Sequence, residues 1–142
     1  MTTYYVSSEI GSNNNAGTSA TAPLATLQAA ANLARPGDTV EVMNGTYTGP
    51  QGGDLVDITT SGTASAPITF EAAPGQTPVI NSSGCWNGIK IEASYIVVNG
   101  FTVVGDAANY TLSQALAGYS TGSANLNGAG INVAVTNNPG VT

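Results

Sequence analysis

The sequence predicts an all-β fold, a right-handed parallel β-helix (solenoid) opened by an N-terminal capping α-helix. The first observation behind this is a run of short alternating apolar segments, "GIKIEASYIVVNGFTVVG" over 88–105, broken by a bend or turn signal every few positions. Alternation of this kind gives one buried and one exposed face. The second is internal repetition. "PITFEAAPGQTPVINSSG" from Pro67 aligns with the stretch from Gly88 at an offset of 21 residues, so that Ile68, Phe70 and Ala72 fall on Ile89, Ile91 and Ala93, and Glu71 on Glu92. "GINVAV" from Gly130 places Ile131, Val133 and Val135 on the same set at an offset of 42. The third is the turn chemistry. Asn99-Gly100 would suit a hairpin, but hairpins do not account for a repeated register, whereas a coil of three short strands accounts for both.

The elements follow in order. "TYYV" reads as an edge strand beside the first coil, and a polar loop follows it up to Pro23. "TLQAAANLARPGD" is the convincing helix. Thr26 is its expected N-cap, Leu27, Ala30, Ala31, Ala34 and Leu33 form its apolar stripe, and Pro36-Gly37 ends it, with Arg35 suited to the helix C-terminus. A solenoid's first coil would otherwise expose its core, so capping is the expected job of this helix. Residues 1–38 are thus expected to hold the edge strand, loop and cap, and residues 39–142 the first coils. In "TVEVMNGTYTG" Val40 and Val42 point inward and Glu41 outward. Ile68, Phe70, Ile89, Ile91, Ile96, Val98, Phe101, Ile131 and Val133 are expected to form buried columns. Lys90 is expected outside, between Thr69 and Asn132. From about 106 to 127 the pattern breaks. An insertion is expected there, with a short helix over Thr111–Ala117, either as the rim of a binding surface or as decoration.

Composition limits function. Among 142 residues only 7% are charged, and two basic side chains against eight acidic ones give a net charge of −6. Two isolated cations, Arg35 and Lys90, make no phosphate-binding patch, so nucleic acid and an anionic membrane surface are excluded as partners. No apolar run is long enough to span a bilayer, and "MTTYYVSSEIG" lacks the basic and apolar regions of a Sec-type signal. The single cysteine, Cys85, reads as packing. No histidine is present, which removes the commonest general base and zinc ligand.

"YYVS", "GTSATAPLATLQAAANLARPGDTVEVMNGTYTG", "SGTASAPITFEAAPGQTPVI" and "GIKIEASYIVVNGFTV" together resemble the N-terminal region of secreted bacterial right-handed parallel β-helix proteins. These are the pectate-lyase-like proteins, which include polysaccharide lyases. The resemblance runs from Tyr4 to about Val135. It implies an extracellular setting and a carbohydrate-related role, with polysaccharide as partner and the active coils beyond this chain. The alternative is a non-catalytic structural or self-assembling solenoid module. The open face of the last coil is expected to meet further coils of the same chain or another copy.

A polysaccharide lyase needs a base, and a cation such as Arg or Ca²⁺ to stabilise the developing charge. No catalytic set and no metal site is assigned in this chain, and Ca²⁺ is only a candidate cofactor. Lys90 beside Glu92 reads as a surface ion pair. Glu71 and Glu92, stacked one coil apart by the alignment, could be a catalytic pair, a Ca²⁺ site or plain surface. Asp54 and Asp57 form a weaker Ca²⁺ candidate, since three residues apart on a strand they face opposite ways unless a bend intervenes. Sugar rings pack on aromatic faces, so Tyr95, Trp86, Tyr110 and Tyr119 join Lys90, Glu71 and Glu92 as candidate ligand-binding residues. Trp86 could equally cover the core edge.

Overall fold

The computed structural model describes residues 1–106, 111, 113–114 and 128–134. Within these residues the chain winds as a solenoid with three strands per coil. Strand β1 (Thr3–Val6) and helix α1 (Leu27–Leu33) precede the first full coil. That coil holds β2 (Thr39–Val42), β3 (Thr46–Thr48) and β4 (Asp54–Ile58). The next holds β5 (Ile68–Ala72), β6 (Val79–Asn81) and β7 (Asn87–Ile91), and the last β8 (Ile96–Asn99), β9 (Thr102–Val104) and β10 (Ala129–Val133). Stacking produces three sheets, ordered β1-β2-β5-β8, β3-β6-β9 and β4-β7-β10. Every strand pair is parallel. Asn99-Gly100 is therefore a corner, not a hairpin: β8 and β9 enter different sheets, and Gly100 turns the chain with φ 81°.

The inward columns are apolar throughout. Val40 pairs with Phe70 and Phe70 with Val98. Tyr47, Ile80 and Val103 stack in the second sheet. Val56, Ile89 and Ile131 stack in the third. The expected inward residues Ile68, Phe70, Ile89 and Ile91 are buried. Ile96, Val98 and Phe101 are only half-buried. Ile131 and Val133 point inward but are exposed by 48% and 62%, because no described strand lies over β10.

The 21-residue register is corrected. β5 and β7 belong to the same coil and to different sheets, so they never pair. The true partners of Phe70 are Val40 and Val98, 30 and 28 residues away. The offset of 42 is real, joining Ile89 to Ile131 and Lys90 to Asn132, but it spans one coil and not two. The expected insertion and its short helix lie mostly outside the described residues, as does Val135.

The helix behaves as expected at both ends. Thr26 caps it by accepting a hydrogen bond from the Ala29 amide, and the Arg35 guanidinium donates to the carbonyls of Asn32 and Ala34. Leu27, Ala30, Ala31 and Ala34 are buried. Leu33 is 41% exposed and does not belong to the stripe. The helix packs against β4, β1 and β2. One contact with β4 has no signal in the sequence. The Gln28 side-chain amide donates to the Asp57 carbonyl at 3.2 Å and accepts from the Asp57 amide at 2.8 Å. It thereby pairs with β4 as a neighbouring strand would, on the edge that faces away from β7. Such an edge needs cover against unwanted pairing.

Cys85 is fully buried at the corner before β7. Its Sγ lies against Gly49, where an added Cβ would stand 2.8 Å from the sulfur.

Candidate functional site

The outer face of the β4-β7-β10 sheet carries the chain's densest group of charges. Regular alternation would turn Asp54 and Asp57 to opposite faces. The alternation breaks, however, because Leu55 and Val56 are both buried. At the same level, the partners Leu55 and Gly88, and Gly88 and Gly130, drop out of the pairing. Gly88 is needed there: a Cβ would lie 2.5 Å from the Gly130 carbonyl oxygen. The irregularity lets both aspartates reach one lysine, which corrects the expectation that they diverge. Lys90 Nζ stands 3.8 Å from Asp54 Oδ2, 3.6 Å from Asp57 Oδ2 and 3.1 Å from Glu92 Oε1.

Asparagines continue the arrangement along the sheet. Asn87 Nδ2 donates to Asp54 Oδ1 at 2.6 Å, and Asn132 Nδ2 donates to Asn87 Oδ1 at 3.0 Å. The expected neighbours of Lys90 are thus half right. Asn132 is its partner in β10, but the partner in β4 is Asp57, and Thr69 lies in another sheet.

The electrostatics follow from this packing. The hydrogen bond to Glu92 raises the Lys90 pKa above the ordinary lysine value, and the Asp57, Glu92 and Asp54 charges reinforce it against partial burial. Lys90 is held as an ammonium and is a poor base at neutral pH. Burial raises the Asp57 carboxyl above its ordinary value, and Lys90 partly offsets the rise. Asp57 Oδ1 is buried and accepts no hydrogen bond. The cation that Asp54, Asp57 and Glu92 surround is the ammonium itself. A Ca²⁺ ion among the same oxygens would sit against a like charge, so these donors do not fit one as arranged. Among the described residues no group of three or more His, Cys, Asp or Glu side chains is arranged to hold a metal.

The remaining candidates divide. Trp86 immediately precedes β7 and is 38% exposed, and Tyr95 immediately precedes β8 and is 50% exposed. Tyr95 has φ 58°, in the left-handed region, and its carbonyl accepts from the Ile68 amide. Glu71 does not stack on Glu92. It lies in the β1-β2-β5-β8 sheet between Glu41 and Asn99. Tyr110 and Tyr119 lie outside the described residues. The structure therefore brings together Lys90 on β7 and Glu92 just after it, places Trp86 before that strand and Tyr95 at the corner into β8, and sets Glu71 apart. Sequence reading missed Asn87 as a member of the site. Its signal was the Asn-Gly step before the alternating run, where Asn87 pairs with Ala129.

A family model described as the Pel9A-like right-handed β-helix region matches residues 4–141. Pectate lyase PEL9 of Emericella nidulans is 42% identical over 77 residues, covering 54% of this chain and 18% of that protein. Lacto-N-biosidase of Bifidobacterium longum subsp. longum is 43% identical over 100 residues, covering 66% of this chain and 6% of that protein. Among solved structures, a rhamnogalacturonan lyase superposes with a TM-score of 0.66 at 26% identity, covering 74% of this chain and 29% of its own. The chain thus spans less than a third of each of these relatives. With a match over nearly its whole length and the stacked parallel sheets described above, the chain belongs to the Pel9A-like right-handed β-helix family.

Proposed function

We propose that this chain forms the N-terminal coils of an extracellular carbohydrate-active β-helix protein, and that its β4-β7-β10 face binds polysaccharide without cleaving it. Relatives named as pectate lyase, rhamnogalacturonan lyase and lacto-N-biosidase share these coils while differing in chemistry. A segment common to such different activities is better suited to folding and binding than to one reaction. The observation that carries the reading is the state of Lys90. A lyase base must accept a proton from carbon next to a uronate carboxylate. An ammonium held by three carboxylates at 3.1–3.8 Å has no vacant lone pair for that step. The same constellation presents fixed carboxylate and amide groups to sugar hydroxyls, with Trp86 just before β7 and Tyr95 at the corner into β8 as exposed stacking surfaces. The active coils then lie further along the solenoid.

The test mixes the 142-residue chain with pectate and with alginate, with and without Ca²⁺, and follows the absorbance of unsaturated ends. The expected result is no turnover, together with retention on polysaccharide affinity gels that weakens in Trp86→Ala and Tyr95→Ala. Turnover that disappears in Lys90→Ala would overturn the reading.

A second reading rests on Ile131 and Val133, inward-pointing yet about half or more exposed. That apolar end suits another coil stacked on β8, β9 and β10, from the same polypeptide or from a second copy. Sedimentation over a wide concentration range separates the two, since only self-association by this chain gives a mass that rises with concentration.

A further inference from the structure

A groove of about 510 Å³ lies at the start of the solenoid, between the first turn of α1 and strand β3. Its size falls within the ~300–1,000 Å³ of small-molecule sites. β3 is the outermost strand of its sheet, and Thr46 and Thr48 are exposed on it and line the groove. Pro50 is the exposed apolar side chain of the lining, whereas Leu27 and Leu55 are buried. Asp54 lines the far side and belongs at the same time to the Lys90 cluster. Its carboxylate is fixed by Asn87 on Oδ1 and by Lys90 near Oδ2. A carboxylate offers about four acceptor positions, so those two contacts leave acceptor capacity for a ligand.

We propose that this groove binds a short neutral oligosaccharide, with Asp54 accepting hydrogen bonds from sugar hydroxyls, Thr46 and Thr48 exchanging hydrogen bonds with others, and Pro50 meeting the apolar side of a ring. The proposal rests on the carbohydrate reading above and narrows it to uncharged sugars. The narrowing comes from charge. The groove's lining contains one carboxylate and no lysine or arginine, and the chain carries a net charge of −6. A uronate would bring its carboxylate toward Asp54 with nothing in the lining to compensate. A purely apolar ligand would strip water from the threonine hydroxyls and from Asp54 without replacing those hydrogen bonds. A ligand dense in hydroxyls and free of charge satisfies both constraints.

The experiment titrates the isotopically labelled 142-residue chain with galactobiose, lacto-N-biose and digalacturonate, and maps amide shift changes by NMR. Galactobiose and digalacturonate differ chiefly in whether each ring carries a hydroxymethyl or a carboxylate group. The expected result is saturable movement of the amides of Thr26–Gln28, Thr46–Gly49 and Asp54 with at least one neutral sugar. Digalacturonate should need at least tenfold more ligand for the same change. Thr48→Val keeps a β-branched side chain and should weaken binding several-fold, and Asp54→Asn about tenfold or more, each with the wild-type melting profile. Digalacturonate binding the groove as well as the neutral sugars would overturn the proposal, as would wild-type affinity in both variants. Shifts confined to the β4-β7-β10 face would remove the groove while leaving the carbohydrate reading intact. No shift with any sugar would sink both.

Discussion

Ile89 and Ile131 occupy the same inward column one coil apart, yet Ile89 is 1% exposed and Ile131 48%. The same holds for the column of Ile58, Ile91 and Val133, where exposure runs 2%, 8% and 62%. Side-chain direction is written locally in each strand by its alternation. Burial is not local, because it depends on the coil above as much as on the residue. In a solenoid each layer is stabilised mainly by its neighbours. The middle coil, β5-β6-β7, has two; the last, β8-β9-β10, has one among the described residues.

Substitutions along one column sharpen this contrast. The largest effect is expected from Ile89→Ala, where a fully packed site loses both transfer energy and fit. The loss should be about 2–5 kcal/mol in urea unfolding, and a value below 1 kcal/mol would mean that the middle coil is as loose as the last. Gly88→Ala comes next. Its new methyl would meet the Gly130 carbonyl and must push β7 and β10 apart, at a cost of roughly 1–3 kcal/mol. Hydrogen exchange should show the added opening in β10 more than in β4. Ile131→Ala should cost only about 1 kcal/mol, in proportion to the area it keeps from water. A loss equal to that of Ile89→Ala would show the end of the column to be covered in solution.

The smallest effect concerns the outer face. Lys90→Met should lower stability by about 1 kcal/mol or less at neutral pH, since the ion pairs are partly solvated. The sign with pH is fixed by the raised Lys90 pKa. The contribution is present at pH values below the ordinary lysine value of 10.5 and is lost as pH climbs through the higher folded value. Thermal melts of both proteins from pH 8 to 12 should therefore converge at the alkaline end. A gap that stays constant would assign the effect to packing of the lysine stem.

The inward and outward sides of most strands were legible in the sequence, as were the helix cap at Thr26, the stop at Pro36-Gly37 and the cation at the helix end. Alternation and capping are short-range signals, and each can be read within one element. The coil register was not legible. Ile68-Thr69-Phe70 and Ile89-Lys90-Ile91 look alike because both bury alternate residues, yet they line different walls of one coil. The pairings actually made span 23 to 42 residues, according to the length of the turns between strands. The site inherited that uncertainty. Asn132 was found beside Lys90 because β7 and β10 share a clear motif. Asp57 was named with Asp54 but not placed beside Lys90, because the break in alternation at Leu55 carries no marker within β4. Glu71 was paired with the wrong glutamate for the same reason as the register. Gln28 gave no hint at all, since its role is to bond another segment's backbone.

The buried position of Cys85 has a practical consequence. It is the one thiol in the chain and it is fully enclosed against Gly49, so a thiol reagent can reach it only when the first and second coils part. Its labelling rate would then be a clock for that separation alone, read without engineering a probe. A rate that tracks global unfolding would make the coils one cooperative block, and a faster rate would reveal a seam at which the solenoid opens before it melts.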